Sequence, residues 1–446
     1  MPITPYKIVA LTNGLTAPFH IVRYDQEGRC ISPQTAAEIV KSVKEGAYTD
    51  MILFSHGWNN DWKAATERYD AFLQNYQSMM TRRGLKIDRE FKPVLVGIFW
   101  PSTALVMPWE SAPEIAADGV GAAGASYQAQ MDEVAKLIPS ESVEKFYDLV
   151  TRDSLDKVAG LELANILAPL YMENKNQPED APGKVTPENL YALWKEDFPA
   201  NGDKAAPVSD DFGFAKEDGV KPAVAGFLEY LNPRNVVRAF TVWQMKDRAG
   251  TVGGNGVHRL LAEVLEADSN IRVHMLGHSY GAKVVLSAIC AGSLPRKVES
   301  LLLLQPAINS WCFALNVWGK GFSGGYRSAF DKVKQPILST FTMHDKPLTQ
   351  FFHVAVRRTE DLGEVKILAE APSKYAALGG FGPQGLGGDQ LQEIKMLAPG
   401  GDRYELAGAG TTRIYGVKSD SYIFGHGDIV TEGCSWALFC QLAAVS

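Results

Sequence analysis

Short, almost uninterrupted apolar runs recur along this chain, and between many of them the apolar positions fall at helical spacing. The first runs, residues 7–11 and 19–24, are separated by the turn pairs Asn13-Gly14 and Ala17-Pro18, which predicts an antiparallel start to a sheet. Ser32-Pro33 followed by Ala36, Ile39, Val40 and Val43 predicts a helix with a capping residue and proline at its first position. Residues 50–54 and 92–101 read as continuous strands of the kind buried in a parallel sheet, with a helix over 61–80 between them. Later strands are predicted from residue 271, over 298–304, over 336–342 and over 412–417, and a helix follows directly on the first of these.

Between residues 102 and 232 this rhythm stops. Helical patches, including 143–172, are joined by a small-residue stretch at 119–125 and by polar, proline-bearing linkers near 177–185 and 202–211, and no strand alternates clearly. The expected organisation is therefore an α/β core formed by residues 1–102 and 235–446, a mostly helical insertion at 103–234, and a Gly/Pro-containing insertion at 346–410. An independent domain is the alternative for 103–234, but the chain returns to the core pattern without a clear boundary. Residues 235–245 and 255–268 read as two helices separated by a glycine-rich break at 246–254. No Gly-Lys-Ser/Thr follows those glycines and no strand leads into them, so a phosphate loop is disfavoured.

Composition narrows the picture modestly. In 446 residues, 46% are hydrophobic and 21% charged, and no stretch is uniformly apolar over the roughly 18 residues of a membrane helix. A soluble enzyme without a transmembrane segment is expected. The start, Met-Pro-Ile-Thr-Pro, lacks a basic lead, an apolar run and a cleavage site, so a cytoplasmic location is expected, with export by another route left open. Five cysteines, at 30, 290, 312, 434 and 440, suggest neither a disulfide framework nor zinc ligation, and a reduced compartment fits them. A net charge of −7 without a basic block argues against nucleic acid as a partner. The oligomeric state is left open.

The chemistry concentrates at Gly277-His278-Ser279-Tyr280-Gly281. An apolar strand leads into it and a helix leaves it, the context that lifts a serine hydroxyl out over a sheet on a strained turn. The backbones flanking such a serine approach closely, which is why Gly277 and Gly281 lack side chains. In a chain with 41 glycines the five letters can also match by accident, and it is the flanking strand and helix that favour a nucleophile. A serine needs a base and the base needs an orienting carboxylate, each on a loop after a later strand. Asp345, at the end of the strand over 336–342, is the expected acid, with Asp331 and Asp361 as competitors. His426, between Gly425 and Gly427 after the last strand, is the expected base, with His353 as the fallback. Ordinary turn or loop roles are the alternative for each. The strand over 50–54 ends in Ser55-His56-Gly57-Trp58-Asn59-Asn60, where a glycine lets backbone amides point at a developing oxyanion; a plain turn with Trp58 in the core is the other reading.

An apolar strand leading to His56-Gly57-Trp58-Asn59-Asn60, and a later one leading to Gly277-His278-Ser279-Tyr280-Gly281, resembles the α/β-hydrolase superfamily. Within it the chain is similar to bacterial lipase/esterase-like serine hydrolases of undefined substrate. The order Ser279, Asp345, His426 is the one that fold uses. The resemblance covers about residues 50–102 and 235–440. It implies a mostly parallel central sheet of about eight strands flanked by helices, a cap or lid at the 103–234 insertion, and an oxyanion hole made by the backbone N–H groups of Trp58 and Tyr280. It further implies a serine hydrolase that needs no cofactor or metal and cleaves a carboxylic ester. A cap lined with Leu, Phe, Tyr and Met favours an apolar or lipid-like acyl or alcohol group. Thioesterases, amidases, peptidases and acyltransferases run on the same parts, and a binding module on such a scaffold is the non-enzyme alternative. A metal site drawn from His56, His344, Asp345, His426 and Asp428 lacks tight ligand spacing. The Gly/Pro-rich piece at 375–388 departs from the family pattern and is expected to be a loop bordering the entrance.

Overall fold

A computed structural model describes residues 4–11, 14–58, 60–102, 127–128, 130–172, 186–197, 231–319, 321–352, 375–408 and 410–444. The described chain divides into two compact units, residues 1–102, 248–349 and 376–446, and residues 103–247 and 350–375. The segment 346–410 is thus shared between the two.

The first unit is α/β and built on one nine-stranded sheet. Its strands are β1 (Lys7–Ala10), β2 (Thr16–Arg23), β3 (Asp50–Ser55), β4 (Pro93–Phe99), β5 (Arg272–His278), β6 (Ser300–Leu304), β7 (Ile337–Phe341), β8 (Leu391–Lys395) and β9 (Ile414–Lys418). They lie in the order β1-β2-β4-β3-β5-β6-β7-β9-β8; β1 is antiparallel to β2 and every other neighbouring pair is parallel. The central strands β3 and β6 are buried at every residue, as parallel strands covered on both faces must be. On one face Ile52, Phe54, Leu95, Leu276 and Leu302 pack against Tyr69, Phe72 and Met79 of the helix Trp62–Arg82 and Trp436 and Phe439 of the helix Glu432–Ala443. Asp61 and Thr431 cap these two helices with side-chain hydrogen bonds.

The chain departs from its local sequence pattern in four places. Ala17-Pro18 is not a turn but lies inside β2; Pro18 faces Ile8 of β1, and the pairing of β2 with β4 starts one residue later, at Phe19, so the missing N–H leaves no ladder bond unmade. The Ser32 hydroxyl does not cap the helix Pro33–Lys44 but accepts from Arg23 N (2.8 Å). β8 forms without an apolar run: Leu-Gln-Glu-Ile-Lys is a half-exposed edge strand whose charges suit an open sheet edge and whose apolar content is too thin to mark it in the sequence. Nor does the chain break at 246–254. The helix Pro233–Thr251 passes through a π-helical turn, Val252–Val257, straight into the helix His258–Ala267. The glycines there serve close approach: a Cβ on Gly253 would stand 2.3 Å from Val284 O, and one on Gly256 2.4 Å from Gly28 O.

In the second unit the helices Ser140–Val150, Lys157–Met172 and Pro187–Asp197 are described, with a short antiparallel bridge between Leu155 and Leu231. Gly160 lets two of the helices close together, since a Cβ there would be 2.5 Å from the ring of Tyr191. No described helix in either unit is long and apolar enough to cross a membrane.

At the N-terminal end of β3 the buried Asp50 carboxylate accepts two hydrogen bonds from Arg89 (2.7 Å each), one from Thr49 Oγ1 (2.6 Å) and longer ones from His274 Nε2 (3.2 Å) and Arg272 (3.3 Å). Burial lowers the pKa of His274, so its neutral ring donates from Nε2 to Asp50 while Nδ1 accepts from the Ser300 hydroxyl. Burial alone would raise the Asp50 carboxyl, but its donors His274, Arg89 and Thr49 outweigh that and hold it well below the usual range. A depressed folded-state value stabilises the protein above the unfolded value of about 4, and that stability fades as the pH falls further. Asp50→Ala strands a largely buried guanidinium and should cost about 3–5 kcal/mol in urea unfolding at pH 7. A loss below about 1 kcal/mol would show that hydration of Arg89 replaces the ion pair with Asp50 at little cost.

Candidate active site

Ser279 joins the end of β5 to the helix Tyr280–Cys290 with φ 55° and ψ −125°, a left-handed backbone costing roughly 1–3 kcal/mol in a residue with a side chain. Neighbouring backbone holds it there. Ser279 N donates to Leu304 O (3.1 Å), and Ser279 O accepts from Ala282 N (3.1 Å) and Ala307 N (3.3 Å). A Cβ on Gly277 would lie 2.5 Å from Ala282 Cα, and one on Gly281 2.2 Å from Ser55 O, so neither position admits a side chain. The strain and the two glycines belong to the same turn.

Asp345 follows β7 and His426 follows β9, and the parallel sheet brings both ends to the end of β5 that carries Ser279. His426 Nε2 is 2.7 Å from Ser279 Oγ, and His426 Nδ1 is 2.8 Å from Asp345 Oδ2. A carboxylate accepts only, so Nδ1 carries the proton and Nε2 accepts from the serine hydroxyl. All three groups are buried, Asp345 completely. The Asp345 carboxylate also accepts from Leu348 N at Oδ1 (3.0 Å) and from Gln305 Nε2 at Oδ2 (2.9 Å).

Three further residues that no sequence signal singled out hold this group. His278 Nε2 donates to His426 O (2.9 Å) and Arg68 Nη1 to Gly427 O (3.1 Å), tying down the loop that bears the imidazole. Burial first, then the nearby Arg68 and His426, drives the His278 imidazole well below its ordinary pKa, so it is a neutral donor. Gln305 is the third. His278 lies within the elbow motif but carries no signal of its own there, Arg68 lies in the helix Trp62–Arg82, which reads as packing alone, and Gln305 follows a strand end.

The loop after β3 lies against the elbow: a Cβ on Gly57 would be 2.8 Å from Ser279 Cβ. Gly57 O accepts from His56 Nδ1 (2.8 Å) and Asn60 Nδ2 (3.1 Å), and Asn60 Nδ2 also reaches Trp58 O (2.7 Å). Because a trans peptide sets its C=O and N–H antiparallel, pinning Gly57 O also aims the N–H of Trp58, in the opposite direction. His56 Nε2 accepts from Trp100 N (3.3 Å) and its ring stacks on Trp100, with centroids 5.6 Å apart. Burial lowers the His56 pKa to about 4, which keeps the ring neutral, and the Gly57 carbonyl, which can only accept, places its proton on Nδ1. Tyr280 opens the helix Tyr280–Cys290, where backbone N–H groups point outward along the axis and favour negative charge.

Among the competing candidates, Asp331 lies in the short helix Ala329–Lys332, before β7 rather than after it; Asp361 and His353 lie outside the described residues. The Gly/Pro-rich piece includes the short helix Leu378–Phe381 and packs as a strut. Leu378 N bonds Ile308 O (2.7 Å), Gly379 N bonds Pro306 O (2.9 Å) and Gly379 O accepts from Thr342 N (3.0 Å), linking the ends of β6 and β7. No group of three or more His, Cys, Asp or Glu side chains among the described residues is arranged to hold a metal ion. Compared with protein-family models, curated proteins and solved structures, the chain matches none.

Proposed function

We propose that this chain is a serine hydrolase of α/β-hydrolase type that cleaves carboxylic esters through an acyl-enzyme. The observation that carries the reading is the unbroken hydrogen-bonded line Ser279 Oγ, His426 Nε2, His426 Nδ1, Asp345 Oδ2, with the hydroxyl on a strained turn between strand and helix. In the first step His426 takes the hydroxyl proton as Ser279 Oγ attacks the ester carbonyl. The negative charge that develops on the carbonyl oxygen is met by the amides of Trp58 and Tyr280, and Asp345 steadies the imidazolium. His426 then gives the proton to the departing alcohol. In the second step it takes a proton from water, hydroxide adds to the acyl carbon, and Ser279 leaves with that proton as the acid is released.

Support for an apolar substrate comes from two exposed side chains close in sequence to the acid and the base. Met343 and Phe424, two residues ahead of Asp345 and His426, are 54% and 66% exposed despite their apolar side chains. A chain-length series of p-nitrophenyl esters, together with fluorophosphonate labelling, tests the reading: the protein should be labelled on Ser279 and hydrolyse the series, with kcat/KM rising with acyl length. A protein that neither hydrolyses any ester of the series nor takes up the probe is not this enzyme.

The oxyanion loop carries its own prediction. His56→Leu removes one of the two donors that pin Gly57 O, and with it the aim of the Trp58 amide, so kcat should fall by about 10²–10³-fold while KM changes little. An equal rise in KM with kcat intact would mean that the loop binds substrate rather than stabilising charge.

A further inference from the structure

Gln305 is a second buried residue with a left-handed backbone, φ 44°, one strand away from Ser279. It ends β6, and the strut at Gly379 is pressed against it so closely that a Cβ on Gly379 would stand 2.5 Å from Gln305 C. Strain at a non-glycine residue persists only where the surroundings over-determine it, and such positions cluster where geometry serves a site.

Every polar atom of the Gln305 side chain is engaged. Nε2 donates to Asp345 Oδ2 (2.9 Å) and Gly379 O (3.1 Å), and Oε1 accepts from Thr340 Oγ1 (3.0 Å). Thr340 Oγ1 in turn accepts from Gln305 N (2.9 Å). The direction of the amide follows from chemistry alone: a carboxylate and a carbonyl can only accept, so the NH2 group must face them and the oxygen must face the threonine hydroxyl.

We infer that Gln305 is a positioning residue for the proposed triad, holding the Asp345 carboxylate in the orientation that His426 Nδ1 needs. The role rests on the serine-hydrolase reading above. Residue type matters here. A neutral donor fixes the acid without placing a positive charge beside the imidazolium that forms, as lysine or arginine would. Glutamate would set two carboxylates against each other and force them to share a proton. Gln305 and Leu348 N hold one oxygen each and so set the plane of the carboxylate, and the second lone pair of Oδ2 is the one His426 uses.

The test removes the donor and keeps the shape. Gln305→Met has the same length and bears the same backbone strain, and Gln305→Leu is the second variant should Met fail to fold, with circular dichroism and thermal midpoint as the folding check. Two readings are taken on full-length protein from pH 5 to 9: the rate of fluorophosphonate labelling at Ser279, and kcat and KM for p-nitrophenyl butyrate. A misaimed carboxylate should slow labelling and kcat by about 10²-fold with KM within about twofold. A carboxylate oxygen that has lost a charge-assisted donor also holds the imidazolium more strongly, so the acidic limb of both rates should move up by about one pH unit. A residue that serves packing alone would lower the thermal midpoint and leave the limb in place. A folded variant with the wild-type rate and an unmoved limb overturns the inference while Ser279 still labels. A wild-type protein that does not label at Ser279 overturns the hydrolase reading and this inference with it.

Discussion

Ser279→Ala should abolish fluorophosphonate labelling and lower turnover of p-nitrophenyl butyrate by on the order of 10⁶-fold, without loss of fold. The hydroxyl is the only atom removed, and it bonds to His426 Nε2 rather than to the core. Alanine inherits the same φ of 55°, because the backbone bonds to Leu304, Ala282 and Ala307 that hold the turn do not involve the side chain. The thermal midpoint should therefore stay within a few degrees. His426→Ala should lose nearly as much activity, and the double variant little more than either single one, since nucleophile and base act in one step and their effects do not add. Ester turnover that survives in purified Ser279→Ala would place the chemistry at another residue, and losses that multiply in the double variant would separate the two side chains mechanistically.

Which parts of this site were legible in sequence follows from how each is built. The elbow needs contiguous letters, because Gly277 and Gly281 must both vanish for the turn to close against Ala282 and Ser55. Asp345 and His426 lie 81 residues apart, yet each stands just past a short apolar run, and a parallel sheet sends all such ends to one edge. The α/β class was legible for the same reason: buried parallel strands such as Ser300–Leu304 are apolar at almost every position. Gln305 was not legible. Its left-handed backbone is imposed by the segment around Gly379, over seventy residues later, and nothing local marks it. Gly253 misleads for a related reason: it reads as part of a chain break, while its use is to admit Val284 O, a contact that exists only after folding. β8 has the opposite defect, a true strand whose edge position spares it the apolar pattern by which the other strands announce themselves.

Asp345→Asn should reduce kcat by about 10⁴-fold with KM nearly unchanged, a loss second only to that of the nucleophile or base. Both carboxylate oxygens now accept: Oδ2 from His426 Nδ1 and Gln305 Nε2, Oδ1 from Leu348 N. An amide can satisfy only one side. With its oxygen toward His426 and Gln305, its NH2 meets the Leu348 N–H, donor against donor, at a cost of about 1–3 kcal/mol in stability. With its NH2 toward His426 it also meets the Gln305 NH2, donor against donor, and the imidazole must accept at Nδ1 and carry its proton on Nε2, where it can no longer take one from Ser279. The first arrangement keeps the tautomer but loses the charge that steadies the imidazolium; the second loses the base altogether. Both arrangements cost stability, so kcat separates them: the full drop of about 10⁴-fold marks the flipped tautomer, and a smaller drop marks the retained tautomer that has lost only the charge. Full turnover in a folded Asp345→Asn would mean that the line from Ser279 through His426 ends at the imidazole, with the carboxylate a spectator.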